Sequence, residues 1–242
     1  MNALTDKIAV VTGASSGIGK AITLGLAKKG VATFLLGRNV KELERVALKA
    51  CETSSRSQFF EVDLSSIQEI RNIVDSLKKE VEHVDLLIHS AGIISLGPLE
   101  SGSIDDFDRQ YHINVRAAYA LTQQLLHVIK GCRGQIVFIN SSAGLNAGAN
   151  SGQYSATKFA LKAIADSFRQ EINSEGVRVL SVYPGRTASP MQAAIYKMEG
   201  REYHPELLMQ PEDVADVVIN ALTLPHSAEV TEISVRPFIK SY

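Results

Sequence analysis

The sequence predicts an α/β protein, a doubly wound parallel β-sheet of about seven strands with helices on both faces. Two observations predict it. Short apolar runs alternate with amphipathic stretches along the whole chain, and strands that alternate with helices pair in parallel through right-handed crossovers. A Gly-rich turn, Thr12-Gly-Ala-Ser-Ser-Gly-Ile-Gly19, joins the first apolar run to the first amphipathic stretch.

Residues 7–12 (KIAVVT) form a short β-branched run, the pattern of a strand buried on both faces. Residues 20–29 continue from the turn as a helix, which Gly30 ends. A second strand, 31–36, closes at Gly37-Arg38-Asn39, and 40–51 has helical periodicity. The third strand is 58–62, followed by Asp63 and a helix over 66–81. The fourth, 84–89, ends in Ser90-Ala91-Gly92. A long helix is expected over 105–130, a fifth strand over 134–140, and a helix carrying Tyr154 to about residue 173. The sixth strand, 177–183, is broken by Pro184-Gly185. Residues 186–209 are a long connection rich in Met, Ala, Ile and Tyr, expected to form short helices over a cleft. Gln210-Pro211-Glu212-Asp213 opens another helix, with Pro in its first turn, and 232–235 is the last strand. With no linker, repeat or low-complexity tract, residues 1–242 read as one domain with a substrate lid at about 186–209.

With 25 basic and 26 acidic residues the formal charge is −1, which argues against a general electrostatic grip on nucleic acid. Cys51 and Cys132 are far apart, make no metal spacing and read as free thiols, so no metal is expected. No apolar run approaches the ~18 residues of a membrane span. The opening residues run almost at once into a strand and do not form a signal peptide, so a cytoplasmic protein is expected.

The candidate chemistry centres on Tyr154 and Lys158, four apart and hence on one helical face. A neighbouring ammonium favours the phenolate and is expected to lower the phenol's pKa towards neutrality. Such pairs also occur on ordinary solvated helices, and it is the company of Ser141, thirteen residues upstream, and of the Gly-rich turn that singles this one out. The turn lies between strand and helix, where backbone N–H groups can approach a pyrophosphate. After the second strand stand Gly37 and Arg38; no carboxylate is there to bind ribose hydroxyls, and a guanidinium suits a phosphate, though an Arg in a turn can equally be solvated. Asp63 can accept from an adenine amino group or cap the following helix.

Taken together, these residues resemble the short-chain dehydrogenase/reductase family, in its single-domain Rossmann-fold branch. The matching positions are the Thr12–Gly19 turn, Asp63, Ala91-Gly92, Asn114-Val115, Ser141, Tyr154-x-x-x-Lys158 and Pro184-Gly185, and they cover nearly the whole chain. The resemblance implies an oxidoreductase moving a hydride between nicotinamide and a carbonyl or secondary alcohol. Tyr154 would be the acid or base, Lys158 would lower its pKa and hold the nicotinamide ribose, Ser141 would bind the substrate oxygen, and Asn114 would hold a relay water. The dinucleotide would be held by Gly13, Ser15, Ser16, Gly17, Ile18 and Gly19, by Arg38 and Asn39, and by Asp63 and Leu64. Ser90, Ala91, Gly92, Tyr154, Lys158, Pro184, Gly185, Thr187 and Ser189 complete the set. With Arg38 in place of a carboxylate, NADP(H) is expected over NAD(H). The family's partners are small molecules, and its members commonly assemble as homodimers or homotetramers.

The chain departs from the family pattern at three places. His89-Ser90 stands where Asn-Asn is usual, and His89 reads as a structural or cofactor-adjacent side chain. Arg186 adds a charge near the cleft mouth, as substrate anchor or solvated loop residue, while Ser189 keeps the hydroxyl expected beside the carboxamide. Arg236-Pro237-Phe238 replaces the usual Asp-Gly-Gly. Two other readings stand beside the first: a reductase of 3-oxoacyl chains on a carrier protein, and a dinucleotide-binding regulator without chemistry.

Overall fold

All seven expected strands pair in parallel in one sheet. The structure is a computed structural model in which residues 3–239 are described. In chain order the strands are β1 (Ile8–Thr12), β2 (Ala32–Gly37), β3 (Gln58–Glu61), β4 (Leu86–His89), β5 (Gln135–Ile139), β6 (Arg178–Pro184) and β7 (Glu232–Val235). Their order across the sheet is β3-β2-β1-β4-β5-β6-β7. The chain therefore winds outwards from β1 in one direction, returns, and winds outwards in the other. Between β1 and β4 the order reverses, which leaves a crevice at the carboxyl ends of the strands. Thr12 is in register with both Leu36 and His89, so the ends of β1, β2 and β4 open onto that crevice together.

Alternation within strands divides the core. Ile8 and Val10 of β1 face one layer, with α3 (Ile67–Glu80), α5 (Ala117–Gly131) and α6 (Gly152–Ile172). Ala9 and Val11 face the other, with α1 (Gly17–Ala27), α2 (Val40–Cys51) and α8 (Pro211–Leu222). Both layers are apolar, which is why the strands read as continuous apolar runs. No helix among the described residues is long and apolar enough to cross a membrane.

Two expectations are corrected. The first helix starts at Gly17, three residues before 20, so the last two glycine positions of the turn belong to its first turn. The helix expected over 105–130 is broken: α4 (Ile104–Tyr111) passes through a π turn, His112–Arg116, into α5. Its wider hydrogen bonding takes up one extra residue within a continuous helical stretch, with no Gly or Pro to mark the place. In 186–209, α7 (Pro190–Met198) and a single 3₁₀ turn at Pro205–Leu207 form, as expected. The two ends of that segment are stapled: Thr187 bridges Met209, and Ala188 N–H donates to the Met209 carbonyl at 2.8 Å.

Candidate active site

A cleft of about 980 Å³ occupies the crevice. It is lined by the Gly-rich turn, by the ends of β2 to β6 and by one face of α7. Every residue expected to bind dinucleotide lines it except Gly19. Gly19 sits behind the wall, where a Cβ would lie 2.4 Å from the Gly13 carbonyl oxygen. Gly13 itself has φ +66°, and a Cβ there would lie 2.8 Å from the Ala91 backbone. These two glycines let the turn lie flat against the end of β4. The Thr12 hydroxyl fixes that approach, accepting from the N–H groups of both Ser90 and Ala91 at 3.1 Å. The segment after β4 is thus braced from β1, although Ser90 replaces an Asn.

Ser16 stands at the N-cap of α1, and its side chain makes no cap bond, so the first-turn N–H groups are left to a ligand. Arg38 lines the cleft at the end of β2 and forms no ion pair among the described residues. Asn39 lines it too and caps α2, accepting from Glu42 N–H at 3.2 Å. Asp63 is not the cap of the next helix. Ser66 caps α3, and Asp63 instead accepts from Ser65 N–H at 2.9 Å. That bond and the Arg38 charge both hold the Asp63 carboxyl below its usual range.

Tyr154 and Lys158 share the inner face of α6, and the Lys158 ammonium lies 5.7 Å from the centre of the Tyr154 ring. Both are buried, at 8% and 3% exposure, yet both line the cleft. Burial pushes the Tyr154 phenol up to about 12, with the neighbouring Ser141 hydroxyl pulling it the other way. Burial pushes Lys158 down to about 8. The phenol thus stands above its ordinary value, not below it: desolvation of the ring outweighs the Ser141 hydrogen bond. The Lys158 ammonium donates to the Ile139 carbonyl at 3.2 Å. Ser141 Oγ accepts from Ala143 N–H at 3.1 Å, which leaves its own proton to donate.

Asn114 lies in the π turn at 1% exposure and does not line the cleft. Its amide exchanges both bonds with Ile93, accepting from N–H at 2.8 Å and donating to the carbonyl at 2.9 Å, and also donates to Thr157 Oγ1 at 3.0 Å. A Cβ at Gly92 would lie 3.4 Å from Asn114 Oδ1 and 3.8 Å from Lys158 Nζ, so the three positions meet. His89 points away from the cleft. It bonds Thr122 Oγ1 at 2.8 Å and stacks on Phe138 at 4.9 Å, and burial holds it neutral, down to about 3.

Pro184, Gly185, Thr187 and Ser189 form the remaining wall. The Thr187 hydroxyl donates to the Gly185 carbonyl at 3.1 Å, and Ser189 caps α7 by accepting from Gln192 N–H at 3.1 Å. Of the apolar residues of α7, Met191, Ile195 and Met198 line the cleft and Ala193 and Ala194 do not. Arg186 lines the cleft and is paired with Glu199 in two hydrogen bonds, at 3.0 and 2.6 Å. Sequence reasoning named Thr12 only as part of the turn, and missed Thr157, Asn140 and Glu199. Asn140, between β5 and Ser141, was the one with a signal, a polar residue closing an apolar run.

Comparison with known proteins agrees with this geometry. The family model described as short chain dehydrogenase matches residues 7–200. An uncharacterized oxidoreductase of Staphylococcus aureus (strain MW2) is 32% identical over 238 residues, 98% of this chain and 100% of that protein. Another from Staphylococcus epidermidis (strain RP62A) is 31% identical over 241 residues, with the same coverage. Among solved structures, a putative short chain dehydrogenase from Escherichia coli CFT073, complexed with NADPH, superposes with a TM-score of 0.88 at 28% identity, covering 96% of this chain and 98% of that one. An alcohol dehydrogenase from the archaeon Thermococcus sibiricus, complexed with 5-hydroxy-NADP, gives 0.88 at 25% identity, covering 98% of both. The chain belongs to the short-chain dehydrogenase family of oxidoreductases.

Proposed function

We propose that the chain is an NADP(H)-dependent reductase of carbonyl compounds, acting in reverse on secondary alcohols. The observation that carries this reading is the meeting of Ser141, Tyr154 and Lys158 at the floor of a cleft large enough for a dinucleotide and a small substrate. The residues present fit the cofactor. Gly13 and Gly19 form a cradle that side chains would fill, uncapped N–H groups open α1, and Arg38 offers paired donors to a ribose phosphate. Gly37 beside it carries no charge to repel that phosphate. The NADP and NADPH complexes of similar structures support the same choice.

A bound nicotinamide supplies the hydride. Tyr154, protonated at neutral pH, holds the proton that a developing alkoxide takes up. Ser141 donates a hydrogen bond to the same oxygen and orients it. The Lys158 cation favours electron density on the phenol oxygen as the proton leaves. Asn114 holds the Gly92–Ile93 backbone and the Thr157 hydroxyl in place behind them. Met191, Ile195, Met198, Ile93, Ile94 and Leu96 give the substrate end apolar walls, which favour aromatic or medium-chain ketones and aldehydes. The same reading carries a homodimer or homotetramer, to be checked by light scattering.

A ketone and aldehyde panel followed spectroscopically with NADPH and NADH side by side tests the proposal. Turnover of hydrophobic carbonyls with NADPH is expected. No oxidation of either cofactor across the panel would remove the chemistry, and a preference for NADH would remove the role of Arg38.

A further inference from the structure

Among the described residues, three cationic side chains line the cleft: Arg38, Lys158 and Arg186. Arg38 stands near Asp63 at the end of β2, and Lys158 is buried at the floor. Arg186, after β6, is the cation on the wall that also carries Met198 and Ile195, and its side chain is 26% exposed. A substrate carboxylate entering over α7 would therefore meet Arg186. Each terminal nitrogen of that guanidinium already gives one of its protons to Glu199. Nη1 donates to Glu199 Oε2 at 3.0 Å and Nη2 to Glu199 Oε1 at 2.6 Å. The guanidinium also lies 5.0 Å over the Tyr196 ring, itself buried with Ala188 and Leu208 and flanked by the half-buried Tyr203. Arg201 reaches Glu199 at 3.4 Å and lies over the same ring at 4.9 Å, but it does not line the cleft.

We propose that Glu199 is a specificity-determining residue: by pairing with both terminal nitrogens of Arg186 it neutralises that cation and selects neutral carbonyl compounds over those bearing a carboxylate. This rests on reading the cleft as a carbonyl-binding site. The pairing is bidentate and partly shielded from water, so an incoming carboxylate meets a charge already neutralised by a partner fixed at the C-terminal cap of α7. It also approaches the Glu199 charge itself. Thirteen residues separate the pair, one at each end of the α7 stretch, so the selectivity depends on how that stretch is folded. Removing the Glu199 charge while keeping its shape turns the blocker into an anchor's neighbour.

The probes are 4-acetylbenzoate and its uncharged counterpart 4-acetylbenzamide, of nearly equal shape. Binding to the NADPH-saturated protein is measured by ligand-observed NMR, which needs no turnover, and reduction is followed in parallel. Wild type is expected to favour the amide by about tenfold, the order of one charge-assisted hydrogen bond. Glu199→Gln should move the carboxylate-to-amide affinity ratio by about tenfold or more towards the carboxylate. Adding Arg186→Gln to it should cancel that gain. Arg186→Gln alone, which leaves Glu199 with the longer Arg201 contact at 3.4 Å, should deepen the discrimination, and it keeps the test decisive if Glu199→Gln does not fold. A wild type that prefers the carboxylate, an unchanged ratio in Glu199→Gln, a gain that survives in the double variant, or no binding of the amide to wild type would each overturn the proposal. Absence of NADPH oxidation alongside the expected shift in binding would sink the reductase reading and leave this one standing.

Discussion

Asn140 ties Ser141 to the helix of Lys158. Its side-chain carbonyl accepts from Ser141 N–H at 2.9 Å, and its amide donates to the Lys158 main-chain carbonyl at 3.1 Å. One buried side chain thereby sets the distance between the end of β5 and the face of α6 that carries Tyr154. Asn140→Ala should leave both backbone groups without these bonds and cost roughly 1–3 kcal/mol of stability. kcat should fall while KM for dinucleotide changes little, because the turn and Arg38 are remote from it. Denaturant unfolding and steady-state kinetics check this; intact kcat in a destabilised variant would reduce Asn140 to a packing residue.

Tyr154→Phe keeps the ring and removes the proton. Turnover should fall at least ~10²-fold, the usual scale of general acid–base catalysis, with dinucleotide affinity nearly unchanged. The pH profile carries its own sign. With the phenol near 12 and Lys158 near 8, the donor stays protonated through neutrality and the cation is lost first. Reduction should thus decline as pH rises through about 8, the pKa of Lys158. A reduction rate that is flat to pH 11 would remove the Lys158 charge from the mechanism.

Arg38→Ala should erase most of the NADPH preference, about ten- to a hundredfold for one charge-assisted contact, and leave NADH binding almost intact. Gly37→Asp should reverse the preference. The nearest atom to a Cβ at Gly37 is on the Leu43 side chain, at 3.6 Å, an ordinary contact, so the carboxylate can be introduced without displacing backbone. Fluorescence titration of both cofactors decides it, and equal loss for the two in Arg38→Ala would place that residue outside phosphate recognition.

His89 is held neutral at about 3 in the fold, against an ordinary value of 6.5. Between those values the unfolded chain binds a proton that the folded one does not. Stability should therefore be lost as pH falls through that window, by up to ~1.4 kcal/mol per pH unit from this group. His89→Leu should lower stability at pH 8, through the lost Thr122 bond, and also flatten the acid slope. Melts from pH 4 to 8 test this: parallel wild-type and variant curves would show that other groups govern the acid limb.

Much of this was legible in the residues. Strands buried on both faces leave unbroken apolar runs, so all seven could be placed, with ends misjudged by a few residues where pairing stops earlier than hydrophobicity does. Val62 is buried yet outside β3, for example. The cleft wall was legible because its members stand at strand ends beside Gly, Pro or Asp. What could not be read depends on three-dimensional closure. The direction of the Tyr154 shift follows from how deeply α6 packs, not from having Lys158 four residues on. Asp63 could cap a helix by position, but Ser66 is better placed to do so. The Arg186–Glu199 pair exists only because α7 folds back between them.

The π turn at His112–Arg116 is, in effect, an insertion of one residue into a helix. Excising one residue there would let α4 and α5 run on as a single α-helix and swing one of them by about 100° about its axis. The sheet, whose strands lie elsewhere in the chain, would have no reason to change. Asn114, however, would leave Ile93 and Thr157 behind. Architecture and site are thus separately editable in this chain. A lineage could gain or lose the Asn114 bracket by a three-nucleotide indel, with the barrier set by repacking α5 and not by refolding the protein.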